Sequence, residues 1–187
     1  MNEDIQKALE TLRNGGIILY PTDTIWGIGC DATNADAVKK IYDIKKRNDT
    51  KSMLILVDAP NRINQYIREI PEIAWELIDV ADKPITIIYP GARNLAANLI
   101  AEDGSIGIRI VNDEFCKKLI SQFKKPIVST SANMSEKAAP SFFDEISNEI
   151  INGVDYVVSW RQKDHKKSTA SSIIKLGIKG DVKIIRE

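Results

Sequence analysis

A single histidine in 187 residues argues against imidazole-based chemistry. His165 lies among Lys163, Lys166 and Lys167, reads as a solvent-facing side chain, and leaves a Ser-His-Asp hydrolase without its base. The two cysteines, Cys30 and Cys116, are far apart and lack the close spacing of zinc ligands, so they read as reduced, apolar thiols. No stretch approaches the roughly 20 apolar residues that span a bilayer. The start, Met1 to Glu10, is polar and acidic, so no leader is expected and the expected location is cytoplasmic and reducing. Lys and Arg total 26, as do Asp and Glu. A neutral chain is a poor general nucleic-acid coat, though a small nucleotide stays within reach. Also absent are the Gly-x-x-x-x-Gly-Lys-[Ser/Thr] loop, the Gly-x-Gly-x-x-Gly turn, the Gly-x-Ser-x-Gly elbow and the His-Glu-x-x-His helix. What remains is chemistry by cations, hydroxyls and positioning, a description that nucleotidyl transfer fits.

What is present is ordinary for one globular domain, with hydrophobic residues at 43% and charged ones at 28%. Neither repeat nor linker interrupts it. Ile5, Ala8, Leu9 and Leu12 predict an opening helix with Asn2 as a possible cap, and Asn34 caps a second helix carrying Val38, Ile41 and Tyr42. Strands are expected at 17–20, 53–57, 84–89, 105–110, 126–128, 156–158, 171–174 and 182–185, with a second short apolar run from Ile25 to Ile28 after the first and helical segments at 63–67, 71–78 and 115–123. Asn94 to Ile100 is ambiguous. Ser141 is expected to cap a helix bearing Phe142, Phe143, Ile146 and Ile150, and Trp75 is expected to pack within its helix's apolar face.

Three stretches carry chemistry. The first is Tyr20-Pro21-Thr22-Asp23-Thr24-Ile25-Trp26-Gly27, a hydroxyl-rich turn at a strand end, where open α/β sheets bind ligands. The second runs from Lys39 to Lys51, six cations against two acids. It suits a polyphosphate, or else is a solvated helix end. The third is Ser129-Thr130-Ser131-Ala132-Asn133 after a strand, which builds local turns or faces a ligand. Arg109, between Ile108 and Ile110, is either an edge residue facing water or a semi-buried cation awaiting an anion.

Pro21-Thr22-Asp23-Thr24-x-x-Gly27, Lys45-x-Arg47 and Ser131-Ala132-Asn133 together resemble the signature of the YrdC-like threonylcarbamoyl-adenylate synthases, in their short form, from about Leu19 to Arg186. The resemblance implies one YrdC-like α/β domain over 1–187, a twisted mixed sheet of parallel and antiparallel strands flanked by helices around a concave site. It implies that L-threonine, bicarbonate and ATP become threonylcarbamoyl-AMP and pyrophosphate for tRNA modification, with tRNA or a tRNA-modifying transferase as a possible partner. Lys45 and Arg47 would be the catalytic pair on the ATP phosphates. Lys51, Ser105, Ser131, Asn133 and Arg186 would also serve ATP, and Thr24, Arg109, Ser129 and Ser171 would serve threonine. No residue is expected to ligate a metal, and Mg2+ is expected to arrive with ATP.

Departures from the family pattern are Trp26 for a tyrosine, Val111, Asn48 and Ser52 for prolines, and Leu56 where many relatives place a histidine near the amino acid. Leu56 leaves threonine selectivity open. Two alternatives stand beside the synthase: an RNA-binding or ribosome-associated module, and a paralogue of altered substrate or hydrolytic activity.

Overall fold

The computed structural model describes residues 1–46, 53–135, 137–165, 169–178 and 180–187. Helix α1 (Asn2–Arg13) buries Ile5, Ala8, Leu9 and Leu12 on one face, as a 3.6-residue period requires, with Met1 rather than Asn2 at the N-cap position. It packs against α5 (Glu114–Phe123), whose N-cap is Asp113. Helix α2 (Ala35–Lys45) begins as expected, the Asn34 Oδ1 accepting from the amides of Asp36 and Ala37, each at 3.1 Å. The two smaller helical segments of this half are the single turn α3 (Ile63–Tyr66) and α4 (Ile73–Val80), and Trp75 of α4 packs partly buried against the core.

Among the described residues the strands form one mixed sheet of nine. Its order is β7 (Tyr156–Val157), β1 (Ile18–Tyr20), β2 (Gly27–Gly29), β6 (Ile127–Ser131), β3 (Leu54–Val57), β5 (Ile106–Ile110), β4 (Ile85–Tyr89), β8 (Ser172–Leu176) and β9 (Val182–Arg186). Pairs β1–β7, β3–β5 and β4–β8 are parallel and the others antiparallel. Strands β2 and β6 approach so closely that a Cβ on Gly29 would lie 2.4 Å from the Val128 carbonyl oxygen. Only glycine fits there.

Side chains alternate across the sheet, so each strand feeds two layers. Ile28, Ile55, Val57, Ile108 and Val128 meet α2 on one face. Ile18, Tyr20, Leu56 and Ile127 meet α1 and α5 on the other. By the same alternation, Gly27, Leu54, Arg109, Ser129 and Ser131 share the second face. There α1 and α5 cover one part, and a cavity occupies another.

Two expected boundaries need correction. Strand β6 does not stop at Val128 but continues through Ser129, Thr130 and Ser131, because it is paired on both edges, Ser131 with Gly27 and Ser129 with Leu54. The helix expected after Ser141 is instead a 3-10 turn, Phe143–Glu145, followed by α6 (Asn148–Gly153). The Glu145 carboxylate accepts the Ser141 amide at 2.6 Å and extended backbone at Ile146 and Ser147 separates the two pieces. In the ambiguous stretch, Asn94 takes a left-handed φ of 56° and a 3-10 turn spans Ala97–Leu99.

Asp4 is the polar exception on the apolar face of α1. It is buried and accepts from the Tyr156 hydroxyl at 2.8 Å and the Ser159 amide at 2.7 Å. Burial opposes its charge, yet the Ser159 amide and then the Tyr156 hydroxyl prevail, and its pKa falls below the ordinary 3.8. With the folded value below the unfolded one, the stabilisation is complete above about pH 4 and is lost as pH falls through the folded value. Asp4→Asn is therefore expected to lower the melting temperature at neutral pH, with the gap to the parent closing in acid. Melts across that range check this, and a gap that stays constant would contradict it.

Candidate active site

The turn from β1 to β2 is tied down at both ends. Tyr20 donates its hydroxyl to the Val128 carbonyl at 3.1 Å, and the Cys116 thiol reaches the Pro21 carbonyl at 3.3 Å. Within the turn Thr22 is the hub. Its hydroxyl donates to the Ile25 carbonyl at 2.8 Å and accepts from the Thr24 amide at 3.0 Å. A hydroxyl has one hydrogen, so in the 3.0 Å contact between the two threonine hydroxyls Thr24 is the donor. Arg161, itself at a left-handed φ of 66°, clamps the turn from outside. Its Nη1 donates to the Thr22 carbonyl at 3.2 Å and to Asp113 at 3.1 Å, and its Nε to Asp164 at 3.1 Å.

Arg109 is 4% exposed in β5, so it is the semi-buried cation rather than the edge residue. Its Nη2 lies 3.1 Å from Asp23 Oδ1 and 3.4 Å from the Thr22 hydroxyl, while Asp23 Oδ2 accepts from the Asn112 amide at 2.9 Å. The contact with Oδ1 falls outside hydrogen-bond geometry, and the Arg109 Nε has no hydrogen-bond partner. A buried guanidinium with a spare donor is costly until an acceptor arrives.

Across the same hollow Arg186 donates through Nε and Nη2 to the Ser171 carbonyl at 3.0 and 2.6 Å. Burial, and then the positive charge of Arg109, hold its pKa below the usual value. The cavity is about 240 Å³ and, among the described residues, its walls carry these two guanidinium groups and no carboxylate. Thr24, Ser129, Thr130, Ser131 and Ser171 add hydroxyl residues to its lining. Such a surface favours an anion, and two anionic groups can be held side by side.

Six of the expected site residues thus line one cavity: Thr24, Arg109, Ser129, Ser131, Ser171 and Arg186. Lys45 and Asn133 stand behind it. The Lys45 ammonium, at the end of α2, is buried and donates to the carbonyls of Ser131 and Asn133, each at 2.5 Å. In this structure it braces the end of β6. Ser105 does not line the cavity. It sits at the far end of β5, four residues and about 13 Å of strand from Arg109, with its hydroxyl on Asp103 at 2.6 Å. Arg47 and Lys51, with Asn48 and Ser52, lie outside the described residues. Leu56 pairs with Arg109 in register and shares its face, yet is fully buried in the layer with α5 and does not line the cavity. Cys30 is buried away from it, and His165 is exposed.

Sequence reasoning assigned no role to Thr22, Asp23 or Arg161. It also passed over the apolar wall of Trp26, Met53 and Leu54, in which Trp26 is tilted against Phe143 with ring centres 4.9 Å apart. An Asp between two threonines was the one visible cue.

The Sua5/YciO/YrdC family model, described as telomere recombination, matches residues 10–187. The chain belongs to the Sua5/YciO/YrdC family. It is 36% identical over 179 residues to a putative threonylcarbamoyl-AMP synthase of Methanocaldococcus jannaschii, covering 93% of this chain and 83% of that protein. It is 31% identical to a threonylcarbamoyl-AMP synthase of Pseudoalteromonas translucida, covering 82% and 84%. Among solved structures, P. abyssi Sua5 complexed with L-threonine matches with a TM-score of 0.82 at 24% identity, over 92% of this chain and 50% of that one. E. coli YciO matches with 0.83 at 22%, over 100% and 90%. These two share the fold, an open mixed sheet flanked by helices, and this Sua5/YciO/YrdC chain spans about half the length of the P. abyssi protein.

Proposed function

We propose that this chain is an L-threonylcarbamoyladenylate synthase, converting L-threonine, bicarbonate and ATP to threonylcarbamoyl-AMP and pyrophosphate for tRNA threonylcarbamoyladenosine modification. The observation that carries the reading is a single hollow to which the described residues bring two guanidinium groups, five hydroxyl residues and no carboxylate. Relatives at 36% and 31% identity bear the synthase name. Arg109, held by Asp23 on one side, takes the amino acid's carboxylate on its unpartnered Nε side, and the Thr24 hydroxyl turns from Thr22 to the substrate. Ser129 and Ser171 line the same end.

Threonine's amine and bicarbonate join as an N-carboxylate with loss of water. Its oxygen attacks the α-phosphorus of ATP and pyrophosphate leaves, so no protein nucleophile is consumed. What the chain supplies is orientation and positive charge. Arg186 and Ser131 face the phosphates, Lys45 positions Ser131 and Asn133, and Arg47, Lys51 and Ser105 are assigned to the nucleotide by resemblance. Mg2+ would enter as part of the MgATP substrate. Among the described residues no helix is long and apolar enough to cross a membrane. A cytoplasmic location accords with the reading.

Pyrophosphate release is expected only when threonine and bicarbonate are both present. Release that ignores threonine would overturn the assignment. One second reading is a paralogue with the same chemistry and another amino acid, because Leu56 stands where the resemblance expects a histidine near the amino acid. Melting the chain with ATP plus threonine, serine or other amino acids separates the two, because the true ligand raises stability by mass action.

A further inference from the structure

Six of the eight residues of α4 are apolar, yet only Ala74 is buried, and Val80 is 76% exposed. Ile73, Trp75, Leu77 and Ile78 are half-buried against the core, so the apolar surface that α4 leaves open is at its C-terminal end, at Val80. From Glu69 to Asp82 the chain carries five acids and no Lys or Arg. All five acids are exposed, and none joins an ion pair among the described residues. Exposed Arg68 and Lys83 bracket the run, and within it Glu72, Glu76 and Asp79 share one exposed side of the helix.

Beneath the C-terminal end of α4 lies a second cavity of about 350 Å³. Its apolar walls include Ile78 of α4, Ile85 and Ile87 of β4, and Ile108 and Ile110 of β5. Alternation along β5 puts Ile108 and Ile110 on the face opposite Arg109, so the two cavities lie on opposite sides of the sheet. Asp82 and Lys83 stand at the surface of this one, and Asp23 also lines it. The Asp23 side chain is 6% exposed, and its Oδ1 accepts no hydrogen bond. That oxygen faces the Arg109 guanidinium at 3.1 Å, so what this cavity offers is its isoleucine wall, which suits a bulky apolar side chain.

We propose that α4 and the cavity beneath it dock a basic segment of a partner protein. One aromatic or large aliphatic side chain fills the cavity, and flanking lysines or arginines meet Glu72, Glu76 and Asp79. The charge selects the partner: RNA would be repelled, and an isologous contact between two copies would set the same acids against each other. Docking here leaves the Arg109 cavity open on the far side of the sheet, so a partner can stay bound while substrates enter. Asp23 belongs to both places, touching this cavity and holding Arg109.

The test uses the whole chain and a labelled 14-residue peptide with a central phenylalanine and lysines spaced for one helical face, followed by fluorescence anisotropy. Binding in the range of about 10–100 µM is expected, weakening steeply from about 0.05 to about 0.5 M salt. Replacing the peptide's phenylalanine by alanine is expected to cost about tenfold. The triple variant Glu72→Lys, Glu76→Lys, Asp79→Lys abolishes binding, and Ile78→Trp, which fills the cavity, weakens it. Both leave pyrophosphate release unchanged. Should the triple variant lose its circular dichroism, Glu76→Lys alone carries the same comparison. No binding by about 1 mM peptide, equal affinity for the alanine peptide, preference for a glutamate-substituted peptide or for a stem-loop RNA, or self-association of the chain abolished by the triple variant would each overturn the proposal.

Discussion

Arg109→Gln is expected to raise the threonine concentration needed for half-maximal pyrophosphate release by about 100-fold while changing the ATP requirement less than about threefold. Losing one partner of a buried guanidinium–carboxylate pair costs on the order of 2–5 kcal/mol, which sets the scale. The asymmetry follows from position, since Arg109 lies deep in β5 beside Thr22 and Asp23, whereas Arg186 enters from β9. The variant also strands the Asp23 carboxylate, and an uncompensated buried charge destabilises a fold by about 3–5 kcal/mol. Combining it with Asp23→Asn removes that charge and keeps the kinetic comparison interpretable. Steady-state kinetics with each substrate varied in turn measures the split. Equal losses for threonine and ATP would refute the assigned division between the two arginines.

Lys45→Met is expected to act on stability before it acts on substrates. The Lys45 ammonium lies where methionine would leave the Asn133 carbonyl without its donor, while the Ser131 carbonyl would keep the Asn133 amide at 2.9 Å. A buried polar group left unsatisfied costs about 1–3 kcal/mol. For a chain of this length that is a fall of about 3–10 °C in melting temperature. Calorimetry checks it. A melting point within about 2 °C of the parent, with only the ATP requirement raised, would instead make Lys45 a phosphate ligand and remove its bracing role.

The elements most legible in the sequence were those whose rules are local. The period of Ile5, Ala8, Leu9 and Leu12 and the Asn34 cap specify α1 and α2 without help from the rest of the chain. Arg109 was legible as an anomaly, because a lone cation inside an apolar strand must be resolved somehow. Its resolution was not legible, since Thr22 lies 87 residues away and no periodicity links them. Lys45 shows the same limit. At a helix C-terminus a lysine is at home in water, and here the carbonyls of a strand end 86 residues further on bury it instead. Ser105 and Arg109 share one short strand, yet only Arg109 lines the cavity, because four strand residues span the length of a small ligand. Phe142, Phe143, Ile146 and Ile150 matched a helical period, but the extended backbone at Ile146 and Ser147 splits that stretch in two. The family motifs brought together six side chains that no local rule would have joined.

All five residues of β9 are exposed, its outer edge is unpaired, and none of its side chains belongs to either apolar layer, yet it carries one of the two guanidinium groups of the hollow. Grip and robustness are therefore housed in different parts of the molecule. Trimming the chain back to Asp181 would spare the packed interior and still take away one of the two guanidinium groups that the described residues bring to the cavity, leaving a protein that melts near its parent but has a weakened hold on an anion.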